Sequence, residues 1–125
     1  MTAKKVLVVD DDHTILERVA HILKQNKYHV ILAHDGEKGL ITAMKSPPDL
    51  IILDVEMPKM RGWEVCKILK QNKLTASIPI IILTSRSELS DILVAMQQGA
   101  DDYLPKPFED SELLRRVDRL IDTTV

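Results

Sequence analysis

The chain has 125 residues, 45 % of them hydrophobic, a size that suits one compact domain with its own core and leaves no room for a second. Its 17 basic and 19 acidic residues are mixed along the sequence, and the net charge of −2 argues against a broad basic surface for nucleic acid or membrane. The absence of a bilayer-spanning segment and of a signal peptide, with a single cysteine that excludes internal disulfides, predicts a cytoplasmic protein without membrane insertion.

Short β-branched runs alternate along the chain with longer segments of helical period. The five predicted strands are Val6–Val9, His29–Ala33, Leu50–Leu53, Ile78–Leu83 and Asp102–Leu104. Several of these runs are apolar at every position, which is typical of strands buried on both faces of a sheet. The pattern therefore predicts an α/β domain with a doubly wound, five-stranded parallel sheet.

Five helices are predicted between and after these strands. The first and the last each carry apolar residues at i, i+4, i+7 and i+8, the spacing of a helix that covers a sheet. These stripes are Ile15, Val19, Ile22 and Leu23 in the first helix, and Leu113, Val117, Leu120 and Ile121 in the last. Asp12 is expected to begin or cap the first helix, because a short acid is favoured by the free N–H groups there.

Polar side chains follow four of the five strands, at the carboxyl edge where ligands bind in open parallel sheets. They are Asp10 and Asp11 after the first strand, Asp54 after the third, Thr84 and Ser85 after the fourth, and Lys106 after the fifth. Three carboxylates brought together repel one another, so either one takes up a proton or a cation neutralises the group. A divalent cation is the better remedy, and few carboxylates with several waters suit Mg²⁺.

Four motifs connect these residues to a known family. They are VVDD (Val8 to Asp11), ILDVEMPKMRG (Ile52 to Gly62), ILTS (Ile82 to Ser85) and GADDYLPKPF (Gly99 to Phe108). In their order and spacing the chain resembles the receiver domains of two-component response regulators of the chemotaxis regulator type. The resemblance covers essentially all of residues 1–125, which we expect to form a single receiver domain. It implies a flavodoxin-like (βα)₅ fold with strand order 2-1-3-4-5.

The same resemblance implies roles for the acidic residues. Asp54 would be the phosphoryl acceptor, and Asp11 and Asp54 would ligate Mg²⁺, or Mn²⁺ in its place. The main-chain carbonyl of Glu56 would supply a third protein ligand, and Asp10 would act largely through metal-bound water. Such a domain catalyses only its own phosphorylation and autodephosphorylation, so we expect a signalling switch rather than an enzyme.

Three further residues take their roles from the resemblance. Lys106 would contact phosphoryl oxygens, aimed inward by a cis Lys106–Pro107 bond. Thr84 and Tyr103 would form the switch: Thr84 moves toward the phosphoryl group and Tyr103 swings into the space it leaves. Considered singly, Lys106 could be a solvated surface lysine, Thr84 a hydroxyl bonded to the backbone, and Tyr103 a half-buried core aromatic.

The implied partners are proteins. A sensor histidine kinase or a histidine phosphotransfer protein would donate the phosphoryl group, and a downstream protein or an effector domain would bind the surface of the fourth helix, fifth strand and fifth helix. Phosphorylation-dependent homodimerisation is left open. The fourth helix, near Ser87 to Gln98, has an apolar stripe at Leu89, Ile92, Leu93 and Met96. Part of this stripe is expected to face a partner, with extra core contact as the alternative.

The sequence departs from the common family pattern at several positions. Arg61 stands where an acidic or small polar residue usually precedes Gly62, so the charge of that loop differs. Glu56 and Arg86, each two residues past a site residue, are predicted to tune dephosphorylation. Their charge pair could form a lid, with an exposed ion pair of little energetic worth as the alternative. Ser85 is small enough to leave phosphate access open.

Other classes of protein remain as alternatives. The most serious is a receiver-like module that binds partners without phosphorylation. A haloacid-dehalogenase-like phosphatase also places an Asp after an apolar strand, but Asp54-Val55-Glu56 does not match its DxD pattern. The four glycines form no nucleotide-binding motif, and the spacing of the four histidines is not that of metal ligands on one helix face.

Overall fold

A computed structural model describes residues 3–85 and 89–123. Five parallel strands form one sheet in the order β2-β1-β3-β4-β5, as predicted. The strands are β1 (Lys5–Val9), β2 (His29–Ala33), β3 (Leu50–Asp54), β4 (Ile80–Thr84) and β5 (Asp102–Pro105). The strand order places β1, β3 and β4 at the centre, where both faces of the sheet are covered.

Five helices cover the sheet. They are α1 (His13–Gln25), α2 (Gly36–Lys45), α3 (Gly62–Gln71), α4 (Leu89–Gln97) and α5 (Asp110–Thr123). Alternate residues of the strands enter two separate apolar clusters: Val6 and Val8 pack with α1 and α5, whereas Leu7 and Val9 pack with the side of α2, α3 and α4. This alternation follows from the two-residue period of a strand and confirms the doubly wound arrangement.

The predicted bounds of β2 are confirmed, and those of the other four strands differ from the observed ones by one or two residues at one or both ends. The largest difference is in β4, predicted to begin at Ile78, because Ile78 is a buried loop residue and the strand begins after Pro79. Because Ile78 is apolar and buried like a strand residue, the predicted strand began two residues too early. In α1 the sequence stripe began at Ile15, but Leu16 is the residue of that turn that is fully buried.

The ends of the helices at the carboxyl edge are fixed by side chains that bind free backbone N–H groups. Asp12 caps α1, as predicted, by accepting a hydrogen bond from the Thr14 N–H at 2.9 Å. Asp35 caps α2 in the same way through the Lys38 N–H. Both caps lie in loops that follow strands, Asp12 after β1 and Asp35 after β2, and each satisfies a backbone N–H of the first helical turn. Within the described residues, no helix is long and apolar enough to cross a bilayer.

Candidate functional site

The three predicted carboxylates converge at the carboxyl edge of the sheet. Asp10 directly follows β1 and is fully buried, Asp54 is the last residue of β3 and is 4 % exposed, and Asp11 faces solvent. One carboxylate oxygen from each lies within 4.8 Å of the other two. This spacing is short enough for one cation to contact an oxygen of each carboxylate. Carboxylate oxygens are the ligands that Mg²⁺ and Mn²⁺ prefer.

Lys106 reaches this group from the loop after β5. Its Nζ atom lies 3.2 Å from Asp10 Oδ2 and 3.2 Å from Asp54 Oδ1. Its backbone N–H donates to the carbonyl of Thr84 at 2.6 Å, and the Lys106–Pro107 peptide bond is cis, as predicted. Lys106 is thus not the solvated surface lysine that its sequence alone allowed.

Backbone amides also contact the buried carboxylates. The N–H of Asp12 donates to Asp10 Oδ1 at 2.9 Å, and the N–H of Glu56 donates to Asp54 Oδ1 at 3.3 Å. Both donors come from the residue two positions after the acid, where the chain turns away from the strand. These bonds offset part of the cost of burying the two charges.

Burial nevertheless dominates the electrostatics of the site. It raises the pKa of Asp54 to about 7, with a further rise from the charge of Asp10, while Lys106 and the Glu56 N–H oppose the shift. Burial also raises the pKa of Asp10. For Lys106, burial works against the charged form, but the carboxylates of Asp54 and Asp10 outweigh it, and its pKa is raised. Burial therefore favours the neutral forms of both carboxyl groups relative to water, despite the nearby ammonium group of Lys106.

The carboxylates form the floor of an open cleft of about 910 Å³. Its lining comes mainly from the loop between β3 and α3, including Lys59 and Arg61, and also includes Ser85. Arg61, which departs from the common family pattern, pairs with α4: its Nη1 atom lies 2.8 Å from Asp91 Oδ2, a contact that the sequence did not predict. Lys59 was missed altogether, although two cations in the stretch MPKMRG were a usable signal.

The two predicted switch residues lie on neighbouring strands. Thr84 ends β4, is 2 % exposed, and donates its hydroxyl to the carbonyl of Ser85 at 3.0 Å. Tyr103 on β5 is paired in register with Ile82 and is 41 % exposed. Neither residue lines the cleft. The arrangement places Thr84 beside the site and Tyr103 farther out on the surface.

The apolar stripe of α4 divides into two parts. Ile92 is buried, whereas Leu89 and Leu93 are 63 % and 58 % exposed and Met96 lies near them at 37 %. A charged substitution at Ile92 would therefore disturb the core, so Leu89 and Leu93 are the better residues for testing a partner surface. Glu56 lines the cleft and is exposed, but Arg86 lies outside the described residues, so their predicted lid stays a prediction.

Comparison with known proteins gives consistent matches. The profile of the response regulator receiver domain family matches residues 6–118. The chain is 45 % identical over 118 residues to the alkaline phosphatase synthesis transcriptional regulatory protein PhoP of Bacillus subtilis, covering 94 % of this chain and 48 % of PhoP. It is 42 % identical over 120 residues to the response regulator MprA of Mycobacterium avium, covering 96 % of this chain and 52 % of MprA. The chain spans about half the length of these curated relatives.

A solved structure gives the same result for the fold. The chemotaxis protein CheY4 of Vibrio cholerae superposes with a TM-score of 0.88 at 36 % sequence identity, and the match covers 94 % of this chain and 98 % of CheY4. The predicted five-stranded fold is therefore shared with a chemotaxis protein over nearly the whole of both chains.

Proposed function

This chain belongs to the response regulator receiver domain family, whose members are signalling switches, and from that premise we propose that it accepts a phosphoryl group on Asp54. The observation that supports this most directly is the placement of a buried carboxylate at the carboxyl edge of the sheet, 3.2 Å from the ammonium group of Lys106 and open to a cleft. We further propose that residues 1–125 act as one receiver domain.

In the proposed reaction, a carboxylate oxygen of Asp54 attacks the phosphorus of a phosphohistidine or of a small acyl phosphate. The bond from phosphorus to the donor's nitrogen or oxygen breaks, and the donor leaves with that electron pair. Only the deprotonated form of Asp54 can attack, so its raised pKa opposes the reaction unless positive charge is nearby. This requirement explains why the site needs both Lys106 and a cation.

Asp11, Asp54 and the main-chain carbonyl of Glu56 are the groups that would hold Mg²⁺ or Mn²⁺, with Asp10 acting through water. The three clustered carboxylates fit such a hard, oxygen-preferring cation. When bound, the cation would offset the charge shared by the acceptor and the incoming phosphoryl group. The 3.2 Å contacts of Lys106 with Asp10 and Asp54 support the proposal that its ammonium group would donate to a phosphoryl oxygen after transfer.

The proposed output is a change of partner binding. A phosphorylated Asp54 would carry a charge of about −1.5 to −2 at neutral pH in place of the single charge of the carboxylate, and its added oxygens would draw nearby hydroxyl groups toward them. Thr84, whose hydroxyl donates to the carbonyl of Ser85, is the proposed responder, and Tyr103 the residue that follows it. The affected surface is that of α4, β5 and α5, where Leu89 and Leu93 are exposed.

The phosphodonor is proposed to be a sensor histidine kinase or a histidine phosphotransfer protein. The partner that responds to phosphorylation is proposed to be a separate protein, an effector domain, or a second copy of this chain. Glu56 and Arg86 are proposed to tune dephosphorylation. Equal phosphoryl lifetimes in the wild type and in a Glu56→Ala, Arg86→Ala double variant would contradict that role.

Intact mass spectrometry after incubation with acetyl phosphate tests the acceptor and the cation together. The wild type should gain one phosphoryl group only when Mg²⁺ is present, and Asp54→Asn should gain none. Glu109→Gln, which changes an exposed acid away from the cleft, is the matched control and should label like the wild type. If the wild type does not label beside a receiver that does, a phosphorylation-independent binding module is the better description.

A further inference from the structure

An arginine on α1 is bound to the loop that carries Lys106. The Nη2 atom of Arg18 donates to the main-chain carbonyl of Phe108 at 2.5 Å and lies 3.0 Å from Asp110 Oδ1. The centre of its guanidinium group also lies 4.7 Å from the centroid of the Phe108 ring. We call these three contacts of Arg18 with Phe108 and Asp110 the Arg18 clamp.

The clamp acts on a short segment between two fixed points. On one side of Lys106, its own N–H is bonded to the carbonyl of Thr84 at the end of β4. On the other side, two residues on, the clamp fixes Phe108, whose ring is buried among apolar residues shared by α1 and α5. Lys106 thus extends its long side chain from a backbone held at both ends.

We propose that Arg18 is a positioning residue for phosphoryl transfer: through Phe108 it holds the backbone of Lys106 so that the ammonium group stays between Asp10 and Asp54. This inference rests on the proposed function. Lysine has several rotatable bonds, so a fixed backbone is what limits the volume that its ammonium group can sample. Small displacements of a charged group in a transfer site reduce rates strongly.

The chemistry of arginine suits this role better than that of lysine. A planar guanidinium can donate to the Phe108 carbonyl while lying over the aromatic ring, which a compact ammonium group cannot do at the same time. The ion pair with Asp110 contributes less, since both side chains are largely exposed. The carbonyl and ring contacts are therefore the parts of the clamp that we expect to matter.

The test measures the rate of phosphorylation by acetyl phosphate at saturating Mg²⁺ in Arg18→Gln and Arg18→Lys. We expect Arg18→Gln to be slower by about 10-fold and Arg18→Lys to restore only part of that loss. Mg²⁺ affinity, measured by isothermal titration calorimetry, should be unchanged. Arg115→Gln is the matched control, because Arg115 is an exposed arginine paired with Glu112 within α5, and it should react like the wild type.

A double variant separates positioning from a general effect on the domain. In a Lys106→Ala background, Arg18→Gln should cause no further loss of rate, because there is no ammonium group left to hold. The same 10-fold loss in both backgrounds would overturn the proposal, as would a wild-type rate for Arg18→Gln. A loss seen with a histidine kinase but not with acetyl phosphate would also overturn it and assign Arg18 to kinase docking. Failure of the wild type itself to label would instead refute the proposed function.

Discussion

Residues in the interior of the central strands and residues at their carboxyl edge can be equally buried, but burial affects the two groups differently. Val8 in β1 and Asp10 just beyond it are both fully buried. Removing Val8 from water stabilises the fold, whereas removing a charged Asp10 costs free energy and raises its pKa. The same contrast holds in β3 between Ile52 and Asp54. The burial of apolar side chains thus stabilises the strands, and the strands hold Asp10 and Asp54 in positions where their charged forms are unfavourable.

The largest expected effect comes from weakening the interior. Ile52→Ala removes a fully buried side chain from β3, between β1 and β4, and should lower the free energy of unfolding by about 4 kcal/mol. Urea denaturation measures this directly. Ile41→Ala, at an exposed position of α2, is the control and should cost far less. Equal losses in both variants would contradict the assignment of the interior as the source of stability.

The next effect concerns the boundary between the two regions. A Cβ atom on Gly62 would lie 2.6 Å from the carbonyl oxygen of Asp54 and 2.8 Å from the Cα of Val55, so Gly62→Ala must displace the backbone of Asp54 and Val55. We expect a loss of about 3 kcal/mol in urea denaturation, together with slower phosphorylation. In Gly36→Ala the new atom meets mainly the side chains of Val65 and Met60, which can move. That control should lose less stability, and the opposite order would contradict this account of Gly62.

A smaller effect should appear in the pH dependence of stability without Mg²⁺. Because the folded-state pKa of Asp54, about 7, lies above its ordinary value of 3.8, the folded protein binds more protons than the unfolded chain between those values. The free energy of unfolding must therefore fall as pH rises through that window. Relative to Asp54→Asn, the wild type should lose about 2 kcal/mol between pH 5 and pH 8.

Chemical denaturation of both proteins in a chelating buffer at several pH values measures this loss. Added Mg²⁺ should stabilise the wild type more than Asp54→Asn at pH 8, since a ligand stabilises the state that binds it. If the free energies of unfolding of the two proteins depend on pH in the same way, burial does not raise the pKa of Asp54.

The smallest expected effect joins the site to α4. The Arg61–Asp91 ion pair is half exposed on the arginine side, so a double-mutant cycle with Arg61→Gln and Asp91→Asn should give a coupling of about 0.5 kcal/mol. Hydrogen exchange of the α4 amides should nevertheless rise in either variant, because the pair connects that helix to the wall of the cleft. Unchanged exchange in α4 would show that the contact does not restrain the helix.

Much of the fold was predictable because its physical causes are local and repeated. Apolar runs such as that of β3 and the stripe that ends in Ile22 and Leu23 follow directly from the periods of strands and helices. The prediction was less accurate at Ile78, where a buried turn has the composition of a strand. The convergence of Asp10, Asp54 and Lys106 followed from one topological rule, that parallel strands present their carboxyl ends at the same edge.

What the sequence determined by itself was the kind of sheet, its covering helices, and which residues meet at its edge, since these depend on spacing along the chain. Only the tertiary structure decided which side of α4 is exposed, that Asp91 is the partner of Arg61, and that Arg18 holds the loop of Lys106. Those contacts join residues 30 and 90 positions apart through the packing of whole elements. Their geometry depends on side-chain directions that no local period encodes.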